Sequence, residues 1–253
     1  MTAPILDIPL TAPVNLRDLG GIPAAAGPVR AGFALRADDL STADPDTAAR
    51  LVGEGLTTVI DLRTAAEVQL TGRGPLAAMP VTYHHVPFLS SVNEGQEDGE
   101  SLTHQPSFEK MYIRMYETAA PRIVQALAII ATSPGATAFH CAAGQDRTGV
   151  LAASLLMALG AEPEAIISDY ARTGGNSARI MERIAPVMEP LLANTGIRLE
   201  DAAKAALRAE FSSAPMAGLL GHLARTHTDP LLPLRAAGLT DGLVSTLRER
   251  AHA

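Results

Sequence analysis

Residues 136–159 read ATAFHCAAGQDRTGVLAASLLMAL, and this stretch decides the fold. The apolar run Ala136–His140 predicts a short buried strand, and the apolar run Thr148–Leu159 predicts a helix. A turn of small and polar residues, Cys141–Arg147, joins them. A strand that leads directly into a helix is the repeating unit of parallel α/β domains, whose ligands bind beyond the carboxyl ends of the strands. The stretch therefore predicts a layered α/β architecture and also the position of its ligand site.

The rest of the chain continues the alternation of strands and helices. Residues 13–23 are expected to form an ordered loop, and the candidate strands are Phe33–Arg36, Leu56–Asp61 and Val81–Val86. The candidate helices are Pro45–Glu54, Phe108–Tyr116, Arg122–Ala131, Glu164–Ala171, Ser177–Leu192, Leu199–Phe211, Pro215–Arg225 and Thr240–Arg250. This pattern predicts an α/β fold with a central, mostly parallel sheet flanked by helices and an extra C-terminal helical portion.

The chain is expected to form one domain over residues 1–253. Residues 88–107 are polar and acidic, and a loop of that length in a compact domain is usually functional or mobile. Residues 161–230 are expected to be a helical, lid-like insertion that packs on the sheet and roofs its active edge.

The composition of the chain argues against several classes of function. The formal net charge of −7 argues against a general nucleic-acid binder and against stable association with anionic membranes. The single cysteine, Cys141, excludes an internal disulfide framework and a multi-cysteine metal site. The N-terminal residues lack the pattern of a signal peptide, and the apolar stretch 149–161 is shorter than the roughly 20 residues of a membrane span. These features lead us to expect a cytoplasmic protein, with export by a route without a signal left open.

The segment Cys141–Arg147 has the properties of an anion-binding loop. It precedes a helix, whose first N–H groups are unpaired and whose dipole is positive at that end. Small residues at 142–144 allow the backbone N–H groups to point inward and surround one phosphate-sized anion. The helix dipole and Arg147 favour the thiolate form of Cys141, and the planar guanidinium can hold two phosphoryl oxygens. This C-x5-R spacing is typical of cysteine-dependent phosphatases, whereas a cysteine without such neighbours would be read as structural.

The sequence resembles the bacterial tyrosine/dual-specificity phosphatase family. Residues 140–149, HCAAGQDRTG, are similar to the family motif HC-x-AG-K-D-R-TG. The block NLRDLGG at 15–21, the DLR at 61–63 and residues 234–250 are similar to further family segments in the same order. The resemblance implies a protein-tyrosine-phosphatase-like fold. Two departures are Gln145, where the family usually has a lysine linked to lipid headgroups, and the missing Tyr-Gly turn near the C-terminus.

The resemblance implies a two-step reaction that needs no metal and no cofactor. The Cys141 thiolate attacks phosphorus and forms a cysteinyl-phosphate, while Arg147 and the loop N–H groups stabilise the equatorial oxygens. A carboxylic acid protonates the leaving oxygen and later activates water. Asp146 is the first candidate for this acid and Asp61 the second, although Asp61 can also be a structural partner of Arg63.

The other candidate site residues have supporting roles. The predicted phosphate-binding set is Ala142, Ala143, Gly144, Gln145, Asp146, Arg147 and Thr148. His140 is expected to orient the loop and to help keep Cys141 ionised. Thr148 is expected to donate its hydroxyl to the thiolate or to cap the helix. The polar residues that could brace the loop, or form only solvated turns, are Asn15, Arg17, Asp18 and Arg36. The arginines that could hold a second anion, or more simply form a solvated helix face, are Arg172, Arg179 and Arg183.

The predicted substrate is a phosphorylated protein, with phosphotyrosine first and phosphoserine or phosphothreonine as further substrates. The alternative enzyme is a phosphatase of a small phosphate ester, such as a sugar, nucleoside or inositol phosphate. A phosphate-binding adaptor is a third alternative, against which the intact cysteine, arginine and two candidate acids argue. The sequence leaves the oligomeric state open.

Overall fold

The structure is a computed structural model that describes residues 8–90, 105–192 and 213–253. The strands are β1 (Arg17–Asp18), β2 (Pro23–Ala24), β3 (Gly27–Pro28), β4 (Ala34–Ala37), β5 (Leu56–Asp61), β6 (Thr82–His85) and β7 (Ala136–His140). Five of them form one sheet in the order β1-β4-β7-β5-β6, and β2 pairs with β3 in a separate hairpin. The four strands β4, β7, β5 and β6 are parallel, and β1 is antiparallel to β4. The predicted mostly parallel sheet is confirmed.

The helices of the described segments are α1 (Pro45–Gly53), α2 (Ala65–Thr71), α3 (Gln105–Thr118), α4 (Ala120–Thr132), α5 (Asp146–Leu159), α6 (Pro163–Ala171), α7 (Ser177–Leu192), α8 (Ala214–Thr226), α9 (Leu232–Ala236) and α10 (Asp241–His252). Short 3-10 helices cover Leu40–Thr42, Pro75–Ala78 and Gly174–Asn176. Helix α1 begins where its sequence predicts, because the Asp44 side chain accepts a hydrogen bond from the Thr47 N–H and Pro45 occupies the first turn.

The two faces of the sheet pack against different groups of helices. In β5, Ile60 belongs to a large core that includes residues of α3–α6 and α8–α10, whereas its neighbour Val59 belongs to a smaller core with Leu51 of α1. Phe139 and Ala138 of β7 divide between the same two cores. Successive strand residues point to opposite faces, so the sheet is covered on both sides. This double cover explains the continuous apolar runs of β5 and β7.

The register brings the carboxyl ends of the parallel strands to one edge. His140, the last residue of β7, lies opposite Ala37 of β4 and Asp61 of β5, and Asp61 lies opposite His85 of β6. The loop that leaves β7 at Cys141 is therefore central on this edge, where α/β sheets bind their ligands.

Most predicted elements are observed. The differences concern the N-terminal block, the start of α3 and helix α2, which is not among the predicted helices. The predicted loop 13–23 contains the short strand β1, which pairs with β4. The predicted loop 88–107 extends too far, because α3 already begins at Gln105; residues 91–104 of that loop lie outside the described residues. In the expected insertion 161–230 the described parts are helical, and the predicted helix 199–211 also falls outside them. None of the described helices combines the length and the apolar character that crossing a bilayer requires.

Candidate active site

The loop Cys141–Arg147 connects β7 directly to the first turn of α5, as the sequence predicts. The neighbouring segments fix its entry: the Leu62 N–H donates to the His140 carbonyl, and the Asp39 N–H donates to the Ala142 carbonyl. Gly144 is required at its position, because its φ is +67° and a Cβ there would lie 2.5 Å from the Ala37 carbonyl oxygen. Only glycine combines this left-handed backbone with so close an approach to β4.

Side chains from the N-terminal block and β4 hold the loop from below. The Asn15 Nδ2 donates to the carbonyl oxygens of Ala143 (3.2 Å) and Gly144 (3.1 Å). The Arg36 Nη2 donates to the same Gly144 carbonyl at 2.9 Å. Two carbonyls of the loop are thus bound on this side, an arrangement that is compatible with N–H groups on the opposite side binding an anion.

A buried carboxylate on α6, Asp169, holds this floor together. Its Oδ1 accepts from the Arg17 Nε at 2.8 Å, and its Oδ2 accepts from the Arg36 Nη1 at 2.5 Å. Arg17 also donates to the Asn15 Oδ1 at 2.6 Å. Burial alone would raise the pKa of Asp169, but the charges of Arg36 and Arg17 hold it below its ordinary value. The Asp169 carboxyl group is therefore ionised.

Arg147 is fixed by a second buried carboxylate, Glu67 of α2. Its Nη1 and Nη2 donate to the Oε2 and Oε1 of Glu67 at 2.6 and 2.9 Å, a bidentate pair. Glu67 also forms a capping box with Thr64, so the start of α2 fixes its position. Despite its complete burial, the charge of Arg147 and these hydrogen bonds keep the pKa of Glu67 below its usual range. The guanidinium is thus held in place before any substrate arrives.

Cys141 and Thr148 lie inside this arrangement. Cys141 is 2% exposed and forms no disulfide. Burial alone would lower the pKa of Arg147, but Glu67 and then the nearby Cys141 raise it above its ordinary value. The Thr148 Oγ1 is buried and has no hydrogen-bond partner among the described residues, so its hydroxyl remains able to donate.

The two candidate acids have different surroundings. Asp146 is half-buried at the first position of α5, and its Oδ1 accepts a hydrogen bond from the Tyr112 hydroxyl at 2.6 Å. Asp61 is fully buried, and its oxygens accept from Arg63 and from the Tyr83 hydroxyl at 2.9 Å. Burial would raise the pKa of Asp61, but interactions with His140 and Arg63 hold it well below its ordinary value.

His140 is buried behind the loop, between Asp39 and Asp61. Its Nδ1 lies 3.7 Å from the Asp39 Oδ1 and accepts from the Leu40 N–H at 3.3 Å, and its Nε2 lies 3.7 Å from the Asp61 Oδ2. Burial lowers its pKa more than the nearby carboxylates raise it, so the imidazole is neutral near pH 7. A neutral imidazole adds no positive charge behind the loop, which differs from the predicted role of keeping Cys141 ionised. In the part of the chain that the structure describes, no group of three or more His, Cys, Asp or Glu residues is arranged to hold a metal ion.

Comparison with known proteins decides the family. Residues 8–252 match the model of a tyrosine phosphatase family. The chain belongs to this family. It is 25% identical over 204 residues to the triple specificity protein phosphatase PtpB of Mycobacterium tuberculosis, covering 69% of this chain and 72% of that protein. It is 31% identical over 199 residues to the “Putative tyrosine-protein phosphatase” of Cupriavidus necator, covering 70% of each chain. It is 33% identical to a tyrosine-protein phosphatase of Nostoc commune over 135 residues, which are 52% of this chain and 44% of that protein.

In this member of the tyrosine phosphatase family, the structure brings together most of the sequence-predicted site residues but not all of them. Asp18 does not reach the loop, because its carboxylate accepts from the N–H groups of Gly20 and Gly32 in a turn. Arg183 donates to the buried Asp38 at 2.7 Å instead of facing solvent. The exposed Arg172 and Arg179 form no ion pair with a described residue. Gln145 is buried in the loop.

Sequence reasoning missed three groups that hold the phosphatase site: Glu67, Asp169 and the tyrosine pair Tyr112 and Tyr170. The T-x-x-E pattern at 64–67 is a capping-box signature and could have placed Glu67 at a helix start beside the loop. Asp169 and the two tyrosines lie on predicted helices, but no local pattern distinguishes them from ordinary helical residues.

Helix α7 forms an apolar wall beside this phosphatase loop. Its residues Ile180, Met181 and Ile184 form a small core, against which Ala143 of the loop and Val14 of the N-terminal segment pack. The surroundings of the candidate phosphate loop therefore include an apolar wall as well as the ion pair of Arg147 and Glu67.

Proposed function

We propose that the protein hydrolyses phosphotyrosine in proteins, with phosphoserine and phosphothreonine as further substrates, through a cysteinyl-phosphate intermediate. One observation carries the proposal: Arg147 is held by Glu67 beside a buried Cys141, at the N-terminus of α5 and inside a loop whose carbonyls are bound from below. Positioned donors around the place where charge develops are the main requirement for phosphoryl transfer. The names of the relatives support the same reaction.

The first step forms a bond between the Cys141 sulfur and phosphorus and breaks the bond to the tyrosine oxygen. The loop N–H groups and Arg147 stabilise the equatorial oxygens, and the Thr148 hydroxyl donates to the thiolate. In the second step water attacks phosphorus, the S–P bond breaks, and inorganic phosphate leaves. The sulfur recovers its electron pair, so the cycle consumes only water.

Asp146 is the proposed acid and base of this cycle. It donates its proton to the leaving oxygen in the first step and takes a proton from water in the second. Its place at the start of α5, beside Arg147, supports this role. Asp61 fits the role poorly, because its oxygens are occupied by Arg63 and Tyr83 and its low pKa keeps it ionised. We assign Asp61 a structural role under His140.

Phosphate release from a phosphotyrosine peptide and from aryl phosphates tests the proposal. Cys141→Ser should lose activity by about a thousandfold or more, because an alkoxide nucleophile is far harder to form than a thiolate. Asp146→Asn should lose about a hundredfold with phenyl phosphate and much less with p-nitrophenyl phosphate, whose leaving group needs no proton.

Asp241→Asn is the matched control for this experiment, because Asp241 is an exposed carboxylate in the first turn of α10. This substitution should leave the rates with both aryl phosphates unchanged. An acid-quenched sample of the wild type should contain phosphate bound to Cys141. Wild-type protein that releases no phosphate from p-nitrophenyl phosphate would refute the proposal, as would full activity of Cys141→Ser.

A further inference from the structure

Two buried tyrosines from different helices form a hydroxyl chain that ends on Asp146. The Tyr112 hydroxyl of α3 lies 2.6 Å from the Asp146 Oδ1, and the Tyr170 hydroxyl of α6 lies 2.7 Å from the Tyr112 hydroxyl. Both side chains are buried, at 0% and 1% exposure, and their rings meet edge to face with centroids 6.0 Å apart. The packing of the two rings therefore holds their hydroxyl groups in place, independently of the contact with the Asp146 carboxyl group.

The direction of the hydrogen bonds follows from the number of protons. A phenol has one hydrogen to donate, and that of Tyr112 is directed to the Asp146 carboxylate. Tyr170 must then be the donor in the bond between the two tyrosines. A hydroxyl that accepts one hydrogen bond becomes a stronger donor of the next, so Tyr170 strengthens the bond from Tyr112 to Asp146.

We propose that Tyr112, supported by Tyr170, is a positioning residue that selects which oxygen of Asp146 exchanges protons with substrate and water. The inference rests on the proposed function of Asp146. Oδ1 is engaged by the phenol, and Oδ2 receives no hydrogen bond from any residue that the structure describes. The transferable proton is thus confined to Oδ2, and the carboxyl plane is fixed relative to the loop.

The same phenol serves both halves of the cycle. It remains a donor throughout, because burial and then the nearby Asp146 and Tyr170 raise the pKa of Tyr112 well above its ordinary value. A donor to a carboxylate favours the ionised form, which is the form needed when Asp146 activates water. In the first step, the Tyr112 hydrogen bond orients the protonated oxygen of Asp146 toward the leaving group.

Tyr112→Phe tests the proposal, with Tyr116→Phe as its matched control. Tyr116 lies one turn further along α3, is equally buried, and donates its hydroxyl to the Pro230 carbonyl, far from Asp146. Tyr112→Phe should lower kcat/KM for phenyl phosphate about three- to tenfold and leave p-nitrophenyl phosphate within about twofold of wild type. The descending limb of its pH–rate profile should move to higher pH, because the ionised form of Asp146 has lost a donor. Tyr116→Phe should change neither property.

Tyr170→Phe provides a second test of the proposal, which remains possible if the Tyr112→Phe variant is unstable. This variant should also lower kcat/KM for phenyl phosphate more than for p-nitrophenyl phosphate, but by a smaller factor than Tyr112→Phe. The factor is smaller because Tyr170→Phe weakens the Tyr112 donor without removing it. In an Asp146→Asn background, Tyr112→Phe should add no further dependence on the leaving group.

The outcomes separate this inference from the proposed function. A wild type without turnover of p-nitrophenyl phosphate would refute the proposed function and this inference with it. An active wild type would refute the positioning role alone if Tyr112→Phe slowed all aryl phosphates equally and kept the pH profile unchanged. The same holds if Tyr116→Phe matched Tyr112→Phe.

Discussion

Glu67 has no exposed surface, yet it carries a charge, which Arg147 and the Thr64 N–H at the start of α2 compensate. Glu67→Gln leaves the guanidinium buried beside an amide that offers one acceptor oxygen instead of two. Breaking such a buried pair should lower the free energy of unfolding by about 3 kcal/mol. Because Arg147 loses its fixed orientation, kcat/KM should also fall about tenfold or more. Urea unfolding and aryl-phosphate kinetics measure the two effects.

Glu54→Gln is the control for that substitution. Glu54 pairs with Arg50 on the surface of α1, where both side chains are more than half exposed. An exposed i,i+4 pair contributes little, so the free energy of unfolding should change by less than about 0.5 kcal/mol. Equal effects of Glu67→Gln and Glu54→Gln would contradict the view that the Glu67–Arg147 pair organises the site.

At the scale of whole elements, the described contacts of helix α7 with the domain include an ion pair, hydrogen bonds from Arg183 to Thr11 and an apolar face. Arg183 donates to Asp38, whose carboxylate also accepts from the backbone N–H groups of Val14 and Asn15. Arg183→Leu should loosen the helix, because the buried Asp38 loses its cation. Hydrogen exchange of the amides over residues 177–188 should become about tenfold faster or more, while the strands exchange as before.

Arg179→Leu tests whether this effect belongs to the ion pair. Arg179 lies one turn earlier on α7, is exposed, and pairs with no described carboxylate. Its replacement should leave the exchange of α7 unchanged. If both variants loosened α7 equally, the ion pair with Asp38 would not be what anchors the helix.

The elements also show how far the sequence predicts this molecule. Strands β5 and β7 have the predicted bounds, because a short apolar run between turn residues fits few other structures. The loop Cys141–Arg147 follows from residue spacing alone. Strand β1 could not be predicted, since its two residues are extended only through pairing with β4. The partner of Asp146 could not be predicted either, because Tyr112 lies 34 positions away on another helix.

At the scale of the whole molecule, buried ionisable groups determine how the free energy of unfolding changes as the pH falls. The pKa values of Glu67, Asp61 and Asp169 lie below their ordinary values despite burial, and burial lowers that of His140. The unfolded chain therefore binds more protons than the folded chain as the pH falls, and the free energy of unfolding decreases. The decrease in the free energy of unfolding that His140 causes should begin below about pH 6.5. The decrease that the carboxyl groups cause should begin below about pH 4. Urea unfolding at a series of pH values measures both stages.

His140→Gln separates the two stages. It should flatten the dependence of the free energy of unfolding between about pH 6.5 and 5 and keep the steeper fall at lower pH. His84→Gln is the control, because His84 is only half-buried on the edge strand β6. An unchanged slope in His140→Gln would show that another group causes the first stage.

The floor of the phosphate loop joins residues that lie far apart along the chain. Asn15 and Gly144 are separated by 129 positions, and Arg36 and Asp169 by 133. Closing loops of that length costs chain entropy before these contacts stabilise anything, so this floor assembles late in folding. During synthesis, Cys141 leaves the ribosome before Asp169 does. The newly made chain therefore passes through an interval in which its only thiol is present but not yet enclosed, and in that interval it is most exposed to oxidants and cannot yet turn over substrate.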